Sequence, residues 1–213
     1  MKKTKLNFDS EIKKIIKKFN INNNWNKNIT QDINKYKKFK KKSFNRKKLK
    51  KLDFVTIDGE DAKDFDDAVY CEKKENNWKL YVAIADVAHF VENNSNIDKE
   101  ARKRGTSVYF PGYVVPMLPE ILSNNLCSLR PKEDKFTIVA EILINNDGKI
   151  KSYKFYNALI SSKARLTYNQ VDNFLKNKNA IKDKNVIKNI DNLFSLYKVL
   201  KKSREERHAV NFD

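Results

Sequence analysis

Six carboxylates fall within ten residues of this chain: Asp58, Glu60, Asp61, Asp64, Asp66 and Asp67, with only Lys63 to offset them. The stretch T-I-D-G-E-D-A-K-D-F-D-D-A-V at residues 56–69 therefore carries a local charge of −5 in a chain whose net charge is +18. Two carboxylates about 4 Å apart repel by roughly 4 kcal/mol at an effective dielectric of about 20. Folding six together needs solvent, protonation or bound cations, and hard divalent cations such as Mg²⁺ prefer oxygen ligands of this kind. A solvated acidic loop is the other reading open to this composition. An EF-hand fits poorly, because a loop starting at Asp64 puts Val69 where the glycine belongs.

The flanks say how the carboxylates are presented. Residues 52–57 are apolar and partly β-branched, which predicts a strand. Asp58-Gly59 is a turn pair, and residues 68–71 begin the next strand. The acidic run is then a loop between two sheet elements. With residues 64–66 extended, Asp64 and Asp66 share a face and Asp67 points the other way unless the backbone turns. A metal site needs that turn.

Sheet patterning continues downstream. Residues 68–71 and 78–87 flank a hairpin turn at 73–77. Residues 98–104 predict a short helix ended by Gly105. Residues 107–116 read as extended with prolines at the bends, and 119–126 as a helical turn. Ile138, Ala140, Ile142 and Ile144 alternate along 136–145, and Asn146-Asp147-Gly148 turns that strand back into 149–156. Thr167 is placed to cap a helix over 168–176. Residues 185–206 carry Ile187, Ile190, Phe194, Tyr197 and Leu200 on one helical stripe. These elements predict an α+β fold, with a mainly antiparallel sheet and packed helices.

Residues 1–50 hold 18 Lys or Arg against three acids, a net of +15, whereas the remainder nets +3. A basic arm ahead of a near-neutral domain suits a polyanionic partner. Lysine outnumbers arginine 38 to 7, so codon bias accounts for the same pattern equally well. Ile12, Ile15, Ile16 and Phe19 have helical spacing, Trp25 is placed to anchor an asparagine-rich loop, and Tyr36, Phe39 and Phe44 are scattered through a lysine-dense segment. Residues 1–51 are thus read as a basic helical linker and 52–213 as the domain. The two cysteines, Cys71 and Cys127, lack metal-type spacing and are expected as reduced thiols. No signal-peptide pattern and no bilayer-length apolar run is present, which predicts a cytoplasmic protein without membrane contact. Four glycines provide neither a P-loop nor a dinucleotide fingerprint.

The acidic motif D-G-E-D-A-x-D-F-D-D-A does not stand alone. V-A-I-A-D-V at 82–87, R-G-T-S-V-Y-F-P at 104–111, P-M-L-P-E at 116–120 and L-S-N-N-L-C-S-L at 122–129 follow it in order. S-S-K-A-R-L-T-Y at 161–168 and L-Y-K-V-L…R-E-E-R at 196–207 complete the series. Together they resemble the catalytic domain of the ribonuclease II/ribonuclease R family, closer to ribonuclease R, over the N-terminal half of that domain.

The resemblance implies 3′→5′ exonucleolytic hydrolysis of single-stranded RNA to nucleoside 5′-monophosphates. It implies that Asp58, Asp64, Asp66 and Asp67 are catalytic residues that ligate Mg²⁺, with Mn²⁺ as a substitute, and that Glu60 and Asp61 support the loop. It also implies that Tyr109 packs against RNA near the 3′ end. The competing reading of Tyr109 is a core aromatic of the sheet. Arg102, Arg104 and Arg130 are candidate phosphate contacts, or ordinary surface arginines. Asp86 is a candidate partner behind the site, and His89 is read as structural. A rival hypothesis is a truncated, catalytically inactive RNA-binding relic. A further possibility is that a C-terminal half of the domain is encoded separately.

Overall fold

The computed structural model describes residues 8–37, 45–177 and 180–209; Phe39, Phe44 and residues 211–213 lie outside them. The chain divides into two compact units, Lys42–Val87 with Asn124–Asp213, and Met1–Lys41 with Ala88–Ser123.

The larger unit is built on seven strands: β1 (Lys47–Lys48), β2 (Val55–Asp58), β3 (Asp67–Lys74), β4 (Asn77–Ala85), β7 (Asp134–Asn145), β8 (Ile150–Ser161) and β9 (Ala164–Thr167). Their order is β1-β8-β7-β4-β3-β2-β9. The five inner strands pair antiparallel, and the edges β1 and β9 pair parallel to β8 and β2. This is the α+β class with a mainly antiparallel sheet that the sequence predicts. β8 runs to Ser161, beyond the expected end at residue 156, because it pairs with β7 along its whole length and with β1 at its far end. The β7–β8 turn needs glycine: Gly148 has φ 76°, and a Cβ there would lie 2.8 Å from the Cβ of Ser203.

Two helices pack on this sheet, α4 (Tyr168–Lys176) and α5 (Lys184–Glu206). Thr167 caps α4 as expected, in a reciprocal capping box with Gln170. One core cluster joins Val55, Leu166, Phe174, Val186 and Ile190, and a second joins Cys71, Trp78, Ile144 and Leu196. The buried stripe of α5 keeps Ile187, Ile190 and Leu200 of the expected set against the core but is rotated toward Val186, Leu193 and Leu196. Leu196 is buried, while Tyr197 is exposed and stacks on Phe194. The reason is Asn189, a buried polar residue. Its side chain accepts from the Cys71 amide (2.9 Å) and donates to the carbonyls of Asp53 (2.9 Å) and Val69 (3.2 Å). Where α5 does not reach, Ile84, Ile138, Tyr153 and Phe155 remain exposed on the sheet. Of the alternating set on β7, Ile138, Ala140, Ile142 and Ile144, only Ile144 is fully buried, while the opposite face of the strand buries Phe136, Thr137 and Val139.

The smaller unit holds α1 (Phe8–Lys18), α2 (Lys27–Lys37), α3 (Asn96–Arg104) and a hairpin of β5 (Val108–Phe110) and β6 (Tyr113–Val115). Ile12 and Ile29 are buried. The Tyr36 hydroxyl donates to the Phe90 carbonyl. Ser95 caps α3, which ends at Gly105 with φ 72°. The run expected to be extended through 107–116 with bends at its prolines is two short strands that fold back at Pro111-Gly112, where Gly112 has φ 74°. The expected helical turn near residue 122 is a π-type turn, Leu122–Leu126.

Candidate functional site

The acidic run is the loop between β2 and β3, opening at Asp58 on the last residue of β2 and closing at Asp67 on the first of β3. It is held at both halves. In the first half, Arg165 Nη2 donates to the carbonyls of Gly59 (2.6 Å) and Glu60 (2.7 Å). The Asn169 amide donates to Glu60 Oε1 (2.9 Å). In the second half, the Ser128 hydroxyl donates to the Lys63 carbonyl (2.9 Å) and accepts from the Phe65 amide (3.1 Å). Leu129 and Ala85 donate their amides to the carbonyls of Phe65 and Asp66, both at 2.8 Å. The buried Phe65 ring pins the middle of the loop.

The architecture explains these holds. β9 runs parallel to β2 with Thr56 opposite Arg165 and Asp58 opposite Thr167, so the β9–α4 junction lies beside the start of the loop. Arg165 and Ser128 were not singled out from the sequence. Their motifs were visible, but partners more than sixty residues away in the chain carry no local signal.

The carboxylates feel each other. Asp58 is half-buried, and its carboxyl is raised, first by burial and then by Asp67, against the lowering charge of Arg165. Asp66 is surface-exposed yet crowded by protein atoms, and its carboxyl is raised by desolvation and by the charges of Asp64 and Asp67. Asp58 Oδ2 is buried without a hydrogen-bond partner. A cation would relieve each of these conditions, so the donor chemistry fits a hard divalent ion. Among the described residues, however, no three histidine, cysteine or carboxylate side chains already stand together as a metal cluster. Ligation by several of these aspartates therefore requires side-chain adjustment on the loop.

The remaining candidates are distributed as follows. Tyr109, on β5, is 65 % exposed, so it is no core aromatic. Arg102 is exposed on α3, with Nε 3.0 Å from Asp98 Oδ2. Arg130 is half-exposed beside Glu133. Arg104, expected among the phosphate contacts, is placed otherwise. Its side chain is 6 % exposed. Each of its nitrogens is engaged, with Glu100 (3.1 Å), the Pro116 carbonyl (2.9 Å) and the Asn24 carbonyl (2.7 Å). Its guanidinium also stacks 3.7 Å over Trp25, which anchors the asparagine-rich loop. A donor set committed in this way braces the fold. Asp86 pairs at 2.5 Å with Arg46, both side chains 7 % exposed. His89 is exposed against Phe90. Both cysteines are buried thiols outside any disulfide, and burial pushes the Cys71 thiol up to about 12, so it is unreactive.

The model of the RNB domain matches residues 46–213, from the start of β1 onward. Ribonuclease R of Escherichia coli (strain K12) is 52% identical over 168 residues, which are 78% of this chain and 21% of that protein. The structure of Mycoplasma genitalium RNase R in complex with double-stranded RNA superposes with a TM-score of 0.87 at 41% identity, covering 92% of this chain and 36% of that one. The complex of the same enzyme with ribose methylated single-stranded RNA gives the same TM-score, with 31% of that chain covered. The chain thus spans about one fifth of the length of the curated relative. A family match across the whole seven-stranded sheet and its acidic loop, in sequence and in backbone alike, means that this chain belongs to the RNB domain family.

Proposed function

We propose that this chain serves 3′→5′ exonucleolytic hydrolysis of single-stranded RNA to nucleoside 5′-monophosphates, in the cytoplasm. The observation that carries the reading is the acidic loop itself. Four aspartates match the family spacing, on a backbone fixed at Gly59, Glu60, Lys63, Phe65 and Asp66 by hydrogen bonds from outside the loop. Relatives described as ribonuclease R, one of them in two complexes with RNA, support the substrate class.

In this reading Asp58, Asp64, Asp66 and Asp67 hold Mg²⁺ or Mn²⁺. When bound, the cation supplies charge neutralisation at the phosphate and a lower pKa for the attacking water. The chain's own part is to present acceptor oxygens at a fixed place. Burial and the neighbouring carboxylates keep Asp58 and Asp66 receptive to positive charge. Arg165 and Ser128 keep the backbone from relaxing away from them, and Asn169 holds the Glu60 side chain. Tyr109 offers an exposed ring for stacking on a base, a contact worth roughly 1–3 kcal/mol.

A second reading, a noncatalytic RNA-binding protein on the same fold, draws on the lack of a ready three-ligand cluster among the described residues. One assay separates the two. With 5′-labelled single-stranded RNA and Mg²⁺, the hydrolytic reading expects shortening from the 3′ end with release of mononucleotides. Asp66→Asn should lower that rate by orders of magnitude, because several kcal/mol of stabilisation are lost at about 1.4 kcal/mol per tenfold. Its RNA affinity should persist. Tyr109→Ala in the same assay should weaken RNA retention and alter the final product length. RNA binding by the wild-type chain with no shortening would favour the noncatalytic reading.

A further inference from the structure

Three buried polar atoms on the β2–β9 pair lack a hydrogen-bond partner: Thr56 Oγ1, Asp58 Oδ2 and Arg165 Nε. The strand register puts Thr56 directly opposite Arg165, with Asp58 two residues further along the same strand. Side chains alternate along a strand, so all three project from one face of the sheet. Buried polar groups in folded proteins are nearly always satisfied, so three orphans side by side call for one explanation.

The chemistry of the three is complementary. Arginine Nε–H only donates, a carboxylate only accepts, and a threonine hydroxyl does both. They make no hydrogen bond to one another. Complementary polar groups left side by side in this way are characteristically bridged by one ordered water, which takes two to four partners. Meanwhile the other end of the guanidinium is spent on the loop, at Gly59 and Glu60. Arg165 thus reaches the strand residue that opens the acidic loop and the two residues that follow it.

We infer that Arg165 is the positioning residue of the acidic loop: Nη2 pins the carbonyls of Gly59 and Glu60, while Nε and Thr56 Oγ1 hold a buried water that orients Asp58. The inference rests on the proposed role of Asp58 as a cation ligand. It assigns Arg165 a mechanical task, which differs from simple charge compensation. A bare positive charge beside the carboxylates would compete with a metal ion, whereas a brace raises metal affinity by presenting Asp58 in place.

The two accounts separate in a Mn²⁺ titration of the 213-residue chain, followed by electron paramagnetic resonance of the free ion. The variants are Arg165→Lys, Arg165→Met and Thr56→Val, each checked for an unchanged circular dichroism spectrum. Lysine keeps the charge but has neither the fork nor the Nε needed to serve both ends. Both Arg165 variants should bind Mn²⁺ at least about tenfold more weakly, and Thr56→Val about threefold. The Ala62 amide, bonded to the Gly59 carbonyl at 3.3 Å, should exchange faster with deuterium in the Arg165 variants. Wild-type affinity in Arg165→Lys would reduce the residue to its charge, and tighter binding in Arg165→Met would make it a competitor of the ion; either overturns the inference. Failure of the wild-type chain to bind Mn²⁺ would overturn the cation reading, while unchanged Ala62 exchange would by itself overturn the brace. Should the Arg165 variants not fold, the wild-type Arg165 Nε–H resonance decides: slow solvent exchange is expected, and fast exchange refutes the buried water.

Discussion

Glu141 shows how a single residue can organise charge on the sheet. Its side chain is 6 % exposed and is met by Lys79 (2.8 Å), Lys154 (3.2 Å), Lys47 (3.3 Å) and the Tyr156 hydroxyl (2.6 Å). Burial works to raise the carboxyl, but hydrogen bonds from Lys79, Tyr156 and Lys154 overcome it and hold the group at about 2. A carboxyl depressed in the folded state contributes stability that is fully present above its unfolded value of 4.5 and is lost as pH falls toward 2. At about 1.4 kcal/mol per unit, the upper limit is roughly 3 kcal/mol, and the half-exposed lysines bring it lower. Glu141→Gln should therefore cost about 2 kcal/mol at pH 7 and flatten the loss of stability between pH 4.5 and 2; urea unfolding across that range checks both. Undiminished acid sensitivity in the variant would place the acid-labile groups elsewhere. Arg104 teaches the complementary lesson. In the sequence it looks like any arginine of a nucleic-acid protein, but stacking on Trp25 and three hydrogen bonds make it a structural brace.

At the scale of elements, α5 turns on one amide. Helical periodicity in residues 185–206 favours the apolar stripe through Tyr197, since Asn189 reads as a solvent residue. The helix instead rolls to bury Asn189, because the irregular entry to β2 and the edge of β3 leave backbone groups at Asp53, Val69 and Cys71 that need partners. Leaving a buried donor or acceptor unpaired costs about 1–3 kcal/mol each. Asn189→Leu should accordingly destabilise the protein by about 3 kcal/mol despite its greater apolarity, whereas Tyr197→Ala should change stability by less than about 0.5 kcal/mol. Chemical denaturation of the two variants tests the assignment, and the reverse ranking would restore the stripe read from the sequence. The same scale governs the acidic loop. Its strands were legible locally, but the parallel pairing of β2 with β9 joins residues about 110 positions apart, and that pairing brings Arg165 to Gly59.

For the whole molecule, charge is the property most directly readable from composition. The excess of lysine over acid in residues 1–50 has a structural setting, since α1 presents Lys13, Lys14, Lys17 and Lys18 to solvent. If these lysines meet phosphates, replacing all four with glutamine should shallow the salt dependence of single-strand RNA binding by up to about 3 in the log–log slope, at roughly 0.7 per contact. An unchanged slope would assign them to lysine-rich composition. The sequence by itself determined the α+β class, the hairpins at 73–77 and 146–148, the caps at Thr167 and Gly105, and the acidic loop between two strands. Each is written in residues within a few positions of one another, as alternation, turn chemistry or capping preference. Only the tertiary structure decided the rotation of α5, the folding back of β5 on β6, the burial of Arg104, the exposure of Ile84, Ile138 and Phe155, and the holds that Arg165 and Ser128 place on the loop. These depend on which distant backbone groups are left unpaired and which surfaces meet, quantities set by long-range packing and hydrogen-bond satisfaction that no local pattern encodes.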